Sequence, residues 1–434
     1  MARSPIVQIY LTLLFALNVY RAATQSFVID EGYSYQLYIG REPFWLFRQY
    51  DANLHVLHTL LCWGSVKLFG LSELTFRLPS LLGCALYFTG VYRLSGLVFS
   101  DWSRRLLAVV LLTANPLIQD HMSVGRGYGL ALGFFAWAFC EALSGERRPR
   151  IAVLLALSIA SNFTFLFPAA GLLAMIAGVL MWQRGVSLTT VVQELLGPWL
   201  VLTFLLLVMP FGRLEPGSFY FGAADLKASL QSLAPLVLGA VLAIGACLMA
   251  VWGFRRGTDA FSRLAGGTFV LTVAAVVAAH VLFGVPYPQS RTGIYLVFLL
   301  PVCFLPLARW KSGAIALLAL SAVMAQAIRV DRYTEWAFDA NSRDIARTIV
   351  ARHASSTVPV RIACRLPACR ALQLYISMWE LGWADVQEVT AWEPGFDYYL
   401  LTGEVQQEAA SLGLRVVYYG PISGVALAAA GVAP

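Results

Sequence analysis

Over residues 1–328 long apolar runs alternate with short polar breaks, and at Arg329 the pattern changes. Stretches such as 196–211, 234–252 and 264–284 are long and almost uncharged. A helix that crosses a bilayer must look like this, because hydrocarbon offers no partner to a charge. Reading spans by hydropathy predicts helices at roughly 5–22, 78–97, 105–121, 128–144, 150–163, 168–182, 190–211, 232–253, 264–283, 293–309 and 312–328. After Arg329 charges become frequent, and helix-like runs (SRDIARTIVARHA, ALQLYISMWELG, EVQQEAASLG) alternate with strand-like ones (VPVRIAC, FDYYLLTG, LRVVYYG). The predicted architecture is an α-helical polytopic membrane protein of about eleven spans, residues 1–328, followed by a small α/β domain, 329–434.

The segment 53–70 decides the topology. It is apolar enough to pass as a span, yet it is short and contains His55, His58 and Lys67. Counting it as a span would put the cluster Arg147, Arg148 and Arg150, and every later basic loop, on the outside. Left out, the basic clusters all fall on the cytoplasmic side, as the positive-inside rule requires. The segment therefore reads as an amphipathic helix lying in the outer interface. Residues 23–76 become one external loop with two membrane-hugging helices, and 212–231 reads as a lid over an interfacial site. The N-terminus is then cytoplasmic and 329–434 extracytoplasmic, in the cytoplasmic membrane. A cleaved signal peptide is the alternative for the first run; an uncleaved span explains better why a polar cluster follows it directly.

Composition agrees: 59% of the 434 residues are hydrophobic and only 13% are charged, about half the fraction usual in soluble proteins. The net charge of +7 does not point to nucleic acid, because the basic residues are dispersed between apolar runs instead of forming a patch. Of the seven cysteines, Cys62, Cys84, Cys140, Cys247 and Cys303 fall in apolar stretches. Cys364 and Cys369 share a polar region where a disulfide is permitted if that region is extracytoplasmic.

In a chain this poor in charge, ionisable residues at the interface are the first candidates for chemistry. The external loop holds Asp30, Glu31, Arg41, Glu42, Arg48, Asp51, Asn53, His55 and His58 among Tyr33, Tyr35, Tyr38, Trp45 and Tyr50. Interfacial loops attract polar and aromatic residues whatever they do, so this cluster alone leaves function open. Three arginines sharpen it: Arg77, Arg126 (beside Tyr128) and Arg291 all fall on the outer face, against the charge trend. Guanidinium forks fit phosphate oxygens. Arginines beside a carboxylate pair thus point to an anionic lipid phosphate, unless each merely snorkels to headgroups.

The order IDEGYSYQLYIG, YDANLHVL, LFGLSELTFRLPSLLG, NPLIQDHMSVGRGYGLAL resembles the N-terminal half of type C membrane glycosyltransferases. The branch is that of protein O-mannosyltransferases and lipid A aminoarabinose transferases, and the likeness covers about residues 1–170. It implies a polyprenyl-phosphate sugar as donor, an acceptor at the non-cytoplasmic face, inversion at the anomeric carbon, and Asp30 as base with Glu31 beside it. Tyr33, Asp51, Asn53, His55, Arg77, Arg126, Tyr128 and Arg291 would bind substrate. Some relatives carry acidic metal ligands where this chain has Asp51 or Asn53, and RGY before the fourth span. Either Arg126 replaces a divalent ion electrostatically, or Asp51 with His55 holds one. The competing reading is a transporter or flippase for a lipid-linked anion. That would place charges deep within several spans, and these spans are nearly free of charge.

Overall fold

The computed structural model describes residues 4–42, 50–145, 148–213, 221–237, 259–353 and 358–430. Among them six helices are long and apolar enough to cross a membrane: Pro5–Thr24, Glu73–Val98, Phe163–Gln183, Leu188–Val208, Ala260–Phe283 and Ser290–Arg309. Eleven spans are not confirmed. The run expected as a span at 105–121 is broken at Asn115-Pro116, where the Asn115 side chain accepts the amides of Leu117 and Ile118 and starts a new helix, Pro116–His121. The runs at 128–144, 150–163 and 312–328 form the shorter helices Tyr128–Ser144, Arg148–Ser161 and Lys311–Gln326. Most of the run at 232–253 lies outside the described residues, as do Trp45, Arg48, Arg147, Cys247 and part of the expected lid.

The chain divides into two compact units, and neither follows a single cut at 328. The first comprises Met1–Val19, Leu46–Leu61 and Leu78–Ile328; the second comprises Tyr20–Trp45, Cys62–Arg77 and Arg329–Pro434. The first unit is a helical bundle with edge-on aromatic packing at its centre. Phe135 meets Phe298 at 6.0 Å and Phe165 at 6.1 Å, and Tyr87 meets Phe298 at 6.0 Å. Its outward positions are apolar: Leu200, Val201, Phe204 and Leu205 on one helix, Ile315 and Leu318 on another, are more than half exposed. A water-soluble bundle would place polar residues there; a lipid-facing one does not.

Several basic residues of this bundle meet acidic partners or one another. Arg93 and Arg150 both pair with Glu141, at 2.7 and 3.6 Å, and Arg148 pairs with Glu194 at 2.6 Å. Arg148, Arg184 and Arg263 line one cavity.

The second unit contains a five-stranded sheet: β1 Val360–Cys364, β2 Ala384–Glu388, β3 Tyr398–Leu401, β4 Leu414–Tyr419 and β5 Ala426–Ala430. The order is β2-β1-β3-β5-β4, with β1 parallel to β2 and β3, and β5 antiparallel to β3 and β4. β1, β3, β4 and the three helices stand where the sequence predicts them. β2 and β5 are additions: β5 is ALAAA, which reads as helix by propensity, yet it is a sheet interior whose first three side chains are fully buried. Cys364 and Cys369 are joined by a disulfide, which settles the pairing the sequence left open. Cys62, Cys84, Cys140 and Cys303 are buried thiols outside any disulfide, as expected.

One apolar core continues from the sheet into the early segments of this unit. Phe27, Ile39, Cys62 and Phe76 pack with Ile345, Ile362, Leu372, Tyr375 and Leu400. Phe27 lies 5.7 Å from the ring of Phe76 and 5.2 Å from that of Tyr375, contacts worth roughly 0.5–1.5 kcal/mol each beyond burial.

Candidate active site

In the second unit the acidic pair sits on a six-residue helix, Ile29–Ser34. Glu31 turns back and its Oε2 accepts the Val28 amide at 2.9 Å, closing the first turn. The rest of its carboxylate faces Arg77, with Nε to Oε1 and Nη2 to Oε2 both at 2.7 Å. The remaining Arg77 donors go to the carbonyls of Ala22, Gln25 and Ser26 at 2.8–3.1 Å. Both side chains are fully buried. The guanidinium therefore has every N–H engaged by protein. Arg77 is removed from the expected phosphate-binding set, and Glu31 from the expected chemistry: each neutralises the other. Asp30, next to them, is buried at 7% exposure.

Tyr33 is engaged by the C-terminal part. The Arg370 guanidinium lies 4.7 Å over its ring and bonds Gln36 and Glu388. Residues 25–32 are held from the C-terminal part throughout. Gln25 donates to the Val330 carbonyl, Ser26 to that of Ala340, and the Phe27 amide to the Tyr375 hydroxyl. The Ile29 amide donates to Asp339 Oδ2 at 2.7 Å. Tyr375 and Arg343 converge in turn on Glu73, at 2.9 and 2.6 Å.

In the first unit a second group forms around histidines. The helix Val56–Phe69 exists, but its polar residues face inward: His58 and Thr59 are buried, while Leu68 and Phe69 are exposed. Ser80 Oγ donates to the Val124 carbonyl at 2.6 Å, so at 3.0 Å His58 Nε2 carries the proton between them. His55 and His121 flank the Tyr128 ring edge-on at 5.4 and 4.6 Å. Among the described residues His55 Nε2 is buried with no hydrogen-bond partner. Burial, then the charges of Arg126, His58 and Arg291, hold the His55 imidazole well below its usual pKa, so it is neutral at pH 7.

Arg126 is buried on the tight turn that precedes Tyr128. Gly127 is required by that turn, because a Cβ there would run into the Ser161 carbonyl and the His55 Cβ. Arg291 follows Ser290, whose φ is +47°, and its guanidinium lies 4.2 Å over the Phe221 ring. Asp51 closes an Asx turn by accepting the Asn53 amide at 2.8 Å. So His55, Tyr128, Arg126 and Arg291 are brought together, and Asp51 and Asn53 shape the turn leading to them. Arg126 and Arg291 thus lie near His55 and His121, with the buried carboxylate of Asp120 also acting on His121; guanidinium forks of this kind suit phosphate oxygens. Among the described residues no three His, Cys, Asp or Glu side chains come together as a metal site.

No protein-family model matches the sequence, and no curated protein matches it. Among solved structures, the one of ArnT from Cupriavidus metallidurans bound to undecaprenyl phosphate superposes over 100% of both chains, with TM-score 0.55 and 14% identity. The fold is similar to that of ArnT. Its apo structure gives the same result, TM-score 0.55 at 13% identity over 99% of each chain. The likeness in fold extends over the whole chain, whereas the motifs that carried the sequence resemblance lie within residues 1–170.

Proposed function

We propose that the chain is an inverting glycosyltransferase that takes a sugar from a polyprenyl-phosphate carrier and transfers it to a hydroxyl of a lipid, glycan or protein acceptor. The observation that carries this reading is the pair Arg126 and Arg291 around neutral histidines in a fold like that of a protein crystallised with undecaprenyl phosphate. The reaction is a single displacement. The acceptor oxygen attacks the anomeric carbon, the bond from that carbon to the phosphate oxygen breaks, and Asp30 takes the acceptor proton. The carrier leaves as a phosphate monoester, whose growing charge Arg126 and Arg291 stabilise. His55, neutral and with Nε2 unengaged, adds a hydrogen bond to donor sugar or phosphate. The reaction takes place at the outer face of the cytoplasmic membrane, with the N-terminus inside.

Purified protein given a radiolabelled polyprenyl-phosphate sugar should transfer or hydrolyse the sugar. Asp30→Asn should lower kcat by roughly 10²–10⁴, the range of general-base contributions, and leave donor binding intact. Asp30→Asn with wild-type turnover would remove the base assignment.

A further inference from the structure

The buried carboxyl of Asp339 is not used by the mechanism above. It ends the turn Thr334–Asp339 just after the last apolar run, is fully inaccessible to solvent, and is reached by the Ile29 amide at 2.7 Å. Ser342 also bonds to its side chain. Its other oxygen, Oδ1, has no hydrogen-bond partner among the described residues. No cation pairs with it there either: Arg77 is engaged by Glu31 and three carbonyls, and Arg343 by Glu73.

We infer that Asp339 is a positioning residue for the proposed base, fixing the first turn of the helix that carries Asp30. The inference rests on the glycosyltransferase reading, and deepens it by giving the C-terminal part a task in building the site. A backbone amide at the start of a helix has no partner within the helix. Two carboxyls supply the partners here, Glu31 for Val28 and Asp339 for Ile29. Asp30 directly follows Ile29 and precedes Glu31, and both neighbours are held, Ile29 by Asp339 and Glu31 by Arg77, so its direction depends on Asp339.

The protonation of Asp339 follows from its surroundings. The titratable and charged groups on the elements around it are Asp30 and Glu31, Arg21, Arg77, Glu73, Tyr333, Glu335, Arg343, Asp344 and Tyr375. Burial, then the negative fields of Asp30 and Glu31, push its carboxyl well above the ordinary range. Both favour the protonated form, whose carbonyl oxygen can accept from Ile29. An ionised Asp339 would add a second charge against Asp30 and loosen the turn. The sign for stability is therefore fixed. Between the unfolded and folded pKa the unfolded state has released a proton that the folded state keeps, so stability falls as pH rises through that window. Asn at 339 cannot titrate, keeps a carbonyl for Ile29, and removes that slope.

The test uses full-length protein in nanodiscs. The infrared spectrum should contain a protonated-carboxyl band that is absent from Asp339→Asn. Hydrogen exchange over residues 27–34 should match wild type in Asp339→Asn and rise in Asp339→Ala. Asp339→Asn should keep kcat within about threefold of wild type, because the Ile29 bond survives. Its pH profile should stay flat at the alkaline end, where wild type falls. Asp339→Ala should lose roughly 10²-fold in kcat, the cost of a misplaced group, with donor KM unchanged. A band that persists in Asp339→Asn, a wild-type exchange pattern in Asp339→Ala, or an Asp339→Asn as inactive as Asp339→Ala would each overturn the inference. Wild type without transfer activity would instead reject the glycosyltransferase reading, and the spectrum and the exchange pattern would still judge Asp339.

Discussion

At the scale of single residues, the ion pair of Glu31 and Arg77 shows how a sequence signal can be right about importance and wrong about role. An arginine on the outer face, against the charge trend, reads as a ligand for phosphate. Its partner is 46 positions earlier, and nothing in residue type or spacing joins the two. With all donors engaged and no exposure, the pair is structural. Removing one member leaves a charge buried without a counter-ion, a loss of about 3–5 kcal/mol. Arg77→Ala should thus lower the thermal inactivation temperature of the detergent-solubilised protein sharply. Arg77→Lys should rescue it poorly, since an ammonium has three donors and no fork. A phosphate ligand would behave differently: Arg77→Ala would raise donor KM and leave stability unchanged, and that outcome would restore the original expectation. Arg126 and Arg291 had the same sequence signal, and for them the histidine surroundings support it. The neutral state of His55 was not legible, because it depends on burial beside two arginines more than 70 and 230 positions away.

At the scale of elements, most helices and three of the five strands, β1, β3 and β4, were legible from periodicity, and the failures have local causes. Asn115-Pro116 broke an apolar run that hydropathy alone would carry through. β5 was hidden by alanines, chosen by the crowded centre of a sheet and not by propensity. The helix Ile29–Ser34 was visible only as an acidic cluster, although its placement depends on a close crossing with the helix Cys369–Met378. Gly32 makes that crossing possible: a Cβ there would strike the Arg370 carbonyl and lie 2.8 Å from the Arg370 Cβ. The obstacle is backbone, so no rotamer can relieve it. Gly32→Ala should cost about 1–3 kcal/mol, the usual penalty of overpacking, and should lower kcat because the helix carrying Asp30 must shift. Gly64→Ala is the matched control. It lies within the helix Val56–Phe69 with nothing inside 4 Å of the new methyl, and should gain about 0.5–1 kcal/mol from helix propensity. Equal thermal stability and turnover in the two variants would sink the argument.

At the scale of the whole molecule, the expected boundary at 328 and 329 followed composition, whereas the compact units follow packing: residues 20–45 and 62–77 fold with the sheet. Composition reports what surrounds a segment and cannot report what it packs on. Membrane orientation is the complementary case, because charge placement along the sequence carries it and the bundle adds a length. The helix Ala260–Phe283 has 24 residues and spans about 36 Å, against about 30 Å of hydrocarbon. Arg263, near its start, lines the cavity shared with Arg148 and Arg184. Phe283 ends it, eight positions before Arg291. If the basic cavity is cytoplasmic, Arg291 belongs to the far end of this helix, where the proposed donor would present its sugar to the outside. In cells carrying single cysteines in a background without the native thiols, a membrane-impermeant maleimide should modify Phe283→Cys from outside. Arg184→Cys and Arg263→Cys should react only after permeabilisation. Reaction of Arg263→Cys in intact cells would invert the bundle and put the arginine pair on the cytoplasmic side, where the proposed outward-facing transfer could not occur.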